Sequence, residues 1–175
     1  NAEVRQAKLD NKFDLDVNLI NQSTDKNTKI IFACSPNNPT ANLMSRTRIL
    51  QLCTDYAETA LVVVDETYVE FADSETLIPC LDAHANLVIL RTLSKSHAAA
   101  GLRCGVAVAR SDVTGLLRKV LAPYPIAQPI VDVALTILSA KSQSILAAKR
   151  RDIVTRRDQV AATLAACAEI VEVVP

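Results

Sequence analysis

Apolar residues fall in four short runs, each cut off by polar or turn-forming residues. Ile30-Ile31-Phe32-Ala33-Cys34 stops at Ser35-Pro36-Asn37-Asn38-Pro39, and Ala60-Leu61-Val62-Val63-Val64 stops at Asp65-Glu66. Leu87-Val88-Ile89-Leu90 stops at Arg91-Thr92-Leu93-Ser94-Lys95, and Val106-Ala107-Val108-Ala109 follows Gly101-Leu102-Arg103-Cys104-Gly105. Runs that are apolar throughout rather than alternating suit strands buried on both faces of a parallel sheet. Between the first two runs, Ile49, Leu52, Cys53 and Tyr56 recur at i, i+3, i+4 and i+7, one stripe of a helix. Ser111 and Asp112 can cap a helix reaching about Leu121, where Ala122-Pro123-Tyr124-Pro125 breaks it. Two further helical stretches, rich in Ala, Leu, Ile, Lys and Arg, fill about 127–140 and 142–168. Their apolar residues, among them Ile130, Val133, Ile137, Leu138, Ile145, Leu146 and Ile153, are too many for a solvated pair. They predict packing against the sheet and toward a second subunit. Residues 1–28 are polar with weak alternation over Phe13–Val17, and Ile170–Val174 reads as the start of a further strand.

Strands alternating with helices predict an α/β fold, a mainly parallel sheet sandwiched by helices. In such sheets ligands bind outside the carboxyl ends of the strands. Asn38, Asp65 and Ser94-Lys95 lie just past three of those ends, which places them on one edge of the sheet.

Composition narrows the function classes. Half of the 175 residues are apolar, and 19 Lys and Arg balance 19 Asp and Glu. Such a chain can bury one core, and its balance argues against a nucleic-acid partner. The basic cluster Lys149, Arg150, Arg151, Arg156 and Arg157 is interrupted by Asp152 and Asp158 and reads as a solvated helix face. Five scattered cysteines and two histidines supply no clustered metal ligands, so the thiols read as free, in a reducing cytoplasm. No apolar run reaches the ~18 residues of a membrane span. Only three glycines, Asn1 in place of Met and the stop at Pro175 suggest a piece of a longer protein.

Four apolar residues followed by Asp65-Glu66 also suit the magnesium-binding strand of an ATPase. That chemistry needs a phosphate loop, and glycines at 101, 105 and 115 form neither it nor a dinucleotide fingerprint. Lys95 points elsewhere. An amine just past a buried strand can be partly desolvated, which favours its nucleophilic form toward a carbonyl. Pyridoxal phosphate needs such an amine, an acid on its pyridine nitrogen, donors to its phenolic oxygen and a cradle for its phosphate. Lys95, then Asp65, then Asn38 with Tyr68, then Arg103 with Thr92 and Ser94 match those needs in turn.

Ser35-Pro36-Asn37-Asn38-Pro39-Thr40, Val64-Asp65-Glu66-Thr67-Tyr68-Val69-Glu70-Phe71 and Leu90-Arg91-Thr92-Leu93-Ser94-Lys95 with Ala100-Gly101-Leu102-Arg103-Cys104-Gly105 resemble the fold-type-I aminotransferases. Asp-Glu-x-Tyr-x-Glu-Phe, Leu-Arg-Cys-Gly and Ala122-Pro123-Tyr124-Pro125 are most similar to the histidinol-phosphate branch of that family. The resemblance covers about Lys29 to Ala168. It implies an enzyme that moves an amino group between histidinol phosphate and 2-oxoglutarate, with pyridoxal phosphate as cofactor and a homodimer as the working form. By the same resemblance Lys95 holds the cofactor and moves the substrate proton, Asp65 pairs with the pyridinium nitrogen, and Tyr68 and Asn38 bond the phenolic oxygen. Arg103, Thr92 and Ser94 hold the phosphate. Residues 1–169 would be the central part of the large domain, and 170–175 the start of the small one. The family takes a second phosphate loop, a ring-stacking aromatic and the partner subunit's tyrosine from sequence before residue 1. Its carboxylate-binding arginine comes from sequence after residue 175.

Two departures stand out. Ala41 sits where the family has glycine, so the turn is expected to reach positive φ less freely. Ser96-His97 replaces a small residue and an aromatic, with His97 read as packing. A phosphothreonine decarboxylase, a cofactor-sensing regulator and a non-catalytic fragment are the alternative readings.

Overall fold

The computed structural model describes residues 2–72 and 74–167, so the expected strand at 170–174 and the second domain lie outside the described residues. Four strands form one sheet in the order β1-β2-β3-β4: Ile30–Cys34, Leu61–Asp65, Leu87–Thr92 and Gly105–Val108. The first three are parallel, with Cys34 opposite Asp65 and Asp65 opposite Leu90. β4 runs antiparallel to β3, pairing Gly105 with Thr92. The α/β architecture and mainly parallel sheet read from the sequence are therefore present. The reversal of β4 matters because an antiparallel strand enters the sheet where its neighbour leaves. It brings Arg103, two residues before β4, to the edge at which β1, β2 and β3 end. Gly105 permits the close pairing: a Cβ there would stand 3.3 Å from the Arg91 carbonyl oxygen.

The two sheet faces bury alternate residues, as a strand's two-residue period requires. Val62, Val64, Leu87 and Ile89 face Ile20 of α1 (Val17–Ser23) and Ile49, Leu52 and Cys53 of α2 (Arg46–Asp55). Val63 and Val88 face Val113 of α3 (Ser111–Val120). Leu52 is fully buried, and burial of a leucine contributes about 1.5–3 kcal/mol. Burial pushes the Cys53 thiol up to about 11.

α1 falls where the sequence shows only weak alternation. Its start is set by Asp16, whose carboxylate accepts the Leu19 N–H at 3.0 Å, an N-cap of the usual kind. Ser45 caps α2 in the same way through the Arg48 N–H. α3 is capped differently from expectation. Arg110 occupies the N-cap with no side-chain bond, Ser111 is already helical, and Asp112 accepts the Val113 N–H at 2.9 Å. An acid in the first turn is favoured there by the helix dipole.

α4 (Gln128–Leu138) and α5 (Ala140–Ala165) differ more. The sequence led us to expect packing on the sheet. Instead α4 rests through Ala134 on Leu93 and Ala99, in the segment after β3. No residue of α5 is buried; Arg157 reaches back to the Phe71 carbonyl oxygen at 3.0 Å. One sheet face is met by α1 and α2; on the other, α3 meets Val63 and Val88, while Ile30 and Phe32 of β1 stay exposed and neither α4 nor α5 covers them. Among the described residues no single helix is long and apolar enough to cross a membrane. α4 and α5 reach that length and hydropathy only as a pair bent by 67°.

Candidate active site at the carboxyl edge of the sheet

The turn after β1 is built from its own polar groups. Asn37 Nδ2 donates to Thr40 Oγ1 at 2.7 Å, and the Asn37 N–H donates to the Asn42 carbonyl at 2.9 Å. Ala41 adopts φ 60°, so alanine does take the left-handed conformation that the missing glycine would have eased. The wrong side of φ costs an alanine roughly 1–2 kcal/mol, which the surrounding bonds offset. Held this way, Asn38 directs its Nδ2 toward Tyr68 Oη at 3.5 Å, the outer limit of a hydrogen bond.

Tyr68 lies just past β2, at the start of a 3-10 turn, Val69–Phe71. The Lys95 amine stands over its ring, 5.5 Å from the centroid, within cation–π range. Asn38, Tyr68 and Lys95 thus come from three successive strand ends and touch in series. Lys95 itself is exposed. The burial expected of it is not found: Leu93, Ser96 and Ala99 of the same loop turn inward, while Lys95 between them faces solvent with its amine over the Tyr68 ring.

Asp65 closes β2 on the face of Leu61 and Val63. Its Oδ1 accepts the Thr67 N–H at 2.9 Å and the Thr67 hydroxyl. Beside it, the Cys34 thiol is pushed upward first by burial and then by the Asp65 charge. Thr92 Oγ1 donates to the Cys104 carbonyl at 3.3 Å and accepts the Ser94 N–H at 3.0 Å, which fixes the first turn of the lysine loop. Arg103 has φ 51° and donates Nη1 to the Ala100 carbonyl at 3.1 Å. It makes no side-chain contact with Asn38, Tyr68 or Lys95 among the described hydrogen bonds. Asn38, Lys95 and Arg103 are all exposed, so the carboxyl edge of the sheet is here an open shelf.

Sequence reasoning missed the groups that tie the shelf together. Glu66, only 2% exposed, accepts the Leu77 N–H at 2.7 Å, the Thr76 hydroxyl at 2.7 Å and Arg91 Nε at 3.0 Å. Arg91 Nη1 reaches Glu70 at 2.6 Å. One guanidinium therefore bolts the segment bearing Asp65 and Tyr68 to the strand leading to Thr92, Ser94 and Lys95. Strand parity carried the signal: if Asp65 faces one side of β2, Glu66 faces the other, where a buried carboxylate demands a cation. His97 is half-buried, its Nδ1 3.0 Å from Ser96 Oγ; burial holds its pKa low, against the pull of Glu70.

The shelf presents an amine and a guanidinium that have no carboxylate within ion-pair distance among the described residues. It also presents the Oδ2 of Asp65, which carries no hydrogen bond from them. A ligand offering a carbonyl, a protonated ring nitrogen and a phosphate suits those three groups. Pyridoxal phosphate has all of them.

The sequence profile of the family described as aminotransferase class I and II matches residues 1–175. A histidinol-phosphate aminotransferase of Pectobacterium carotovorum subsp. carotovorum (strain PC1) is 44% identical over 156 residues, covering 89% of this chain and 43% of that protein. The chain thus spans less than half the length of the curated relatives it matches. The crystal structure of a histidinol-phosphate aminotransferase from Sinorhizobium meliloti, in complex with pyridoxal-5'-phosphate, superposes with a TM-score of 0.72. That match has 22% identity and covers 85% of this chain and 40% of the other. L-threonine-O-3-phosphate decarboxylase from Porphyromonas gingivalis gives 0.60 at 30% identity, covering 68% of this chain and 37% of that one.

Proposed function

This chain belongs to the class I and II aminotransferases, and from that membership we propose that the full-length protein carries the amino group of histidinol phosphate to 2-oxoglutarate, with pyridoxal phosphate as cofactor. The contact of Asn38, Tyr68 and Lys95 at three strand ends supports it most directly. The amino donor leaves as the corresponding ketone, and 2-oxoglutarate leaves as glutamate. When bound, the cofactor supplies an electron-withdrawing ring that accepts the pair released when the substrate α-carbon loses its proton.

The residues divide the rest. Lys95 Nζ is the group that holds the cofactor and carries the α-proton; its place over the Tyr68 ring limits where the amine can swing. Asp65 Oδ2 accepts the ring N–H, and its negative charge keeps that proton in place. Tyr68 Oη and Asn38 Nδ2 donate to the phenolic oxygen. Arg103, with the Thr92 and Ser94 hydroxyls, holds the phosphate, the guanidinium offering paired donors. The remaining walls come from sequence beyond these residues in our reading, with residues 1–169 in the large domain and 170–175 opening the small one. A cytoplasmic homodimer fits the five free cysteines and the uncovered apolar faces of α4 and α5.

Full-length protein supplied with histidinol phosphate and 2-oxoglutarate should form glutamate, and Lys95→Ala should abolish it. The family's decarboxylase is the alternative. Carbon dioxide released from phosphothreonine, with no glutamate formed from histidinol phosphate, would replace our reading with that one.

A further inference from the structure

We infer that Thr67 is a positioning residue: its hydroxyl aims the Asp65 carboxylate so that Oδ2 meets a protonated ring nitrogen at the sheet edge. The inference rests on the role proposed for Asp65. A carboxylate at a strand end has two side-chain torsions to lose before it can present one oxygen in one direction. Here the main chain is already fixed, since the Asp65 carbonyl accepts the Ser35 N–H at 3.0 Å. Both remaining constraints come from one residue, because Oδ1 accepts the Thr67 N–H at 2.9 Å and the Thr67 Oγ1 hydroxyl. Any residue at 67 supplies the N–H. Only serine or threonine supplies the second donor at that distance.

The consequence is an asymmetric carboxylate. Oδ1 is taken by two donors, while Oδ2 has none among the described residues and is not sealed from solvent. The neighbouring thiol does not compete: Cys34 Sγ is directed at the Pro36 carbonyl, 3.3 Å away. Restricting the torsions before the ligand arrives removes an ordering cost that binding would otherwise bear. The ligand class follows from the geometry. A single open anionic oxygen at the end of β2, on the sheet edge that also carries Lys95, suits a cationic aromatic N–H.

The alternative is that Thr67 only stabilises the turn after β2. A double-mutant cycle on the full-length protein separates the two. Affinity of the apoprotein for pyridoxal phosphate would be titrated by absorbance for the parent, Thr67→Val, Thr67→Ser, Asp65→Asn and the Thr67→Val, Asp65→Asn pair. Valine keeps the shape and removes the hydroxyl. We expect it to weaken binding about tenfold, with serine within about twofold of the parent. In the Asp65→Asn background the valine should add almost nothing, because the group it positions is gone. A full additional tenfold loss there would assign Thr67 to the turn and overturn the inference, as would unchanged affinity in Thr67→Val. Unchanged affinity in Asp65→Asn alone would instead remove the proposed role of Asp65.

Discussion

Two regions of this chain solve the problem of burial in opposite ways. From Ile30 to Val108, the sheet packs against side chains of α1, α2 and α3, with Ile30 and Phe32 of the edge strand β1 left exposed, and Glu66 and Asn86, buried at 2% and 6% exposure, have hydrogen-bond partners. From Gln128 to Ala165, Val133, Leu135, Leu138, Ile145, Ile153 and Val160 stand exposed, and one alanine is buried. Among the described residues, the one buried side-chain polar atom without a partner, Arg150 Nη1, is on α5. The first region is organised by contacts within the chain and carries the groups proposed for chemistry. The second offers apolar surface that a solvated helix pair has no use for.

The most severe way to break the first region is to unbalance its buried charges. Glu66→Ala leaves Arg91 half-buried with only Glu70 as partner and strands the Leu77 N–H. It should cost about 3 kcal/mol, read from urea unfolding of the full-length protein. A loss below about 1 kcal/mol would mean that the clamp is replaceable by water and that the two regions differ less than their contacts indicate. A smaller effect should come from relieving strain in the same region. Ala41→Gly removes the penalty at φ 60° and should stabilise by about 1 kcal/mol; destabilisation would show that its bonds impose no strain. Smallest in unfolding are changes to the second region. Leu135→Ser and Ile153→Ser should shift monomer stability by under about 0.5 kcal/mol. In the homodimer proposed for the full-length protein they should nevertheless raise the dissociation constant, measured by sedimentation equilibrium. Unchanged association would leave the helical faces as plain solvent surface and sharpen the contrast no further.

The same contrast governs what could be read from the sequence. β2 and β3 were legible because strands buried on both faces write continuous apolar runs, and the turn after each run marks where polar groups emerge; β1 writes the same run, but its Ile30 and Phe32 are exposed on one face. α1 was not legible, because a seven-residue helix held by one cap at Asp16 is too short to show a helical period. The direction of β4 has no local signature; an apolar tetrapeptide reads alike both ways, and pairing with Thr92 decides it. Among the site residues, those following a strand end were legible from position and from the resemblance. Glu66, Arg91 and Thr67 were not, since their roles depend on which side of a strand each faces. Exposure of Lys95 was misjudged for a related reason: a buried strand predicts the burial of its own residues, not of the loop after it. The long helices failed differently. Their periodicity announces an apolar face, but periodicity cannot say which surface covers it.

The central claim is that the shelf at the carboxyl edge holds pyridoxal phosphate through Lys95. Full-length protein loaded with the cofactor, reduced with borohydride and digested would show the attachment site by peptide mass. The account predicts one phosphopyridoxyl label, on the peptide bearing Lys95, and its loss in Lys95→Ala. A label on Lys119, Lys141 or any other lysine, with Lys95 unmodified, would contradict it.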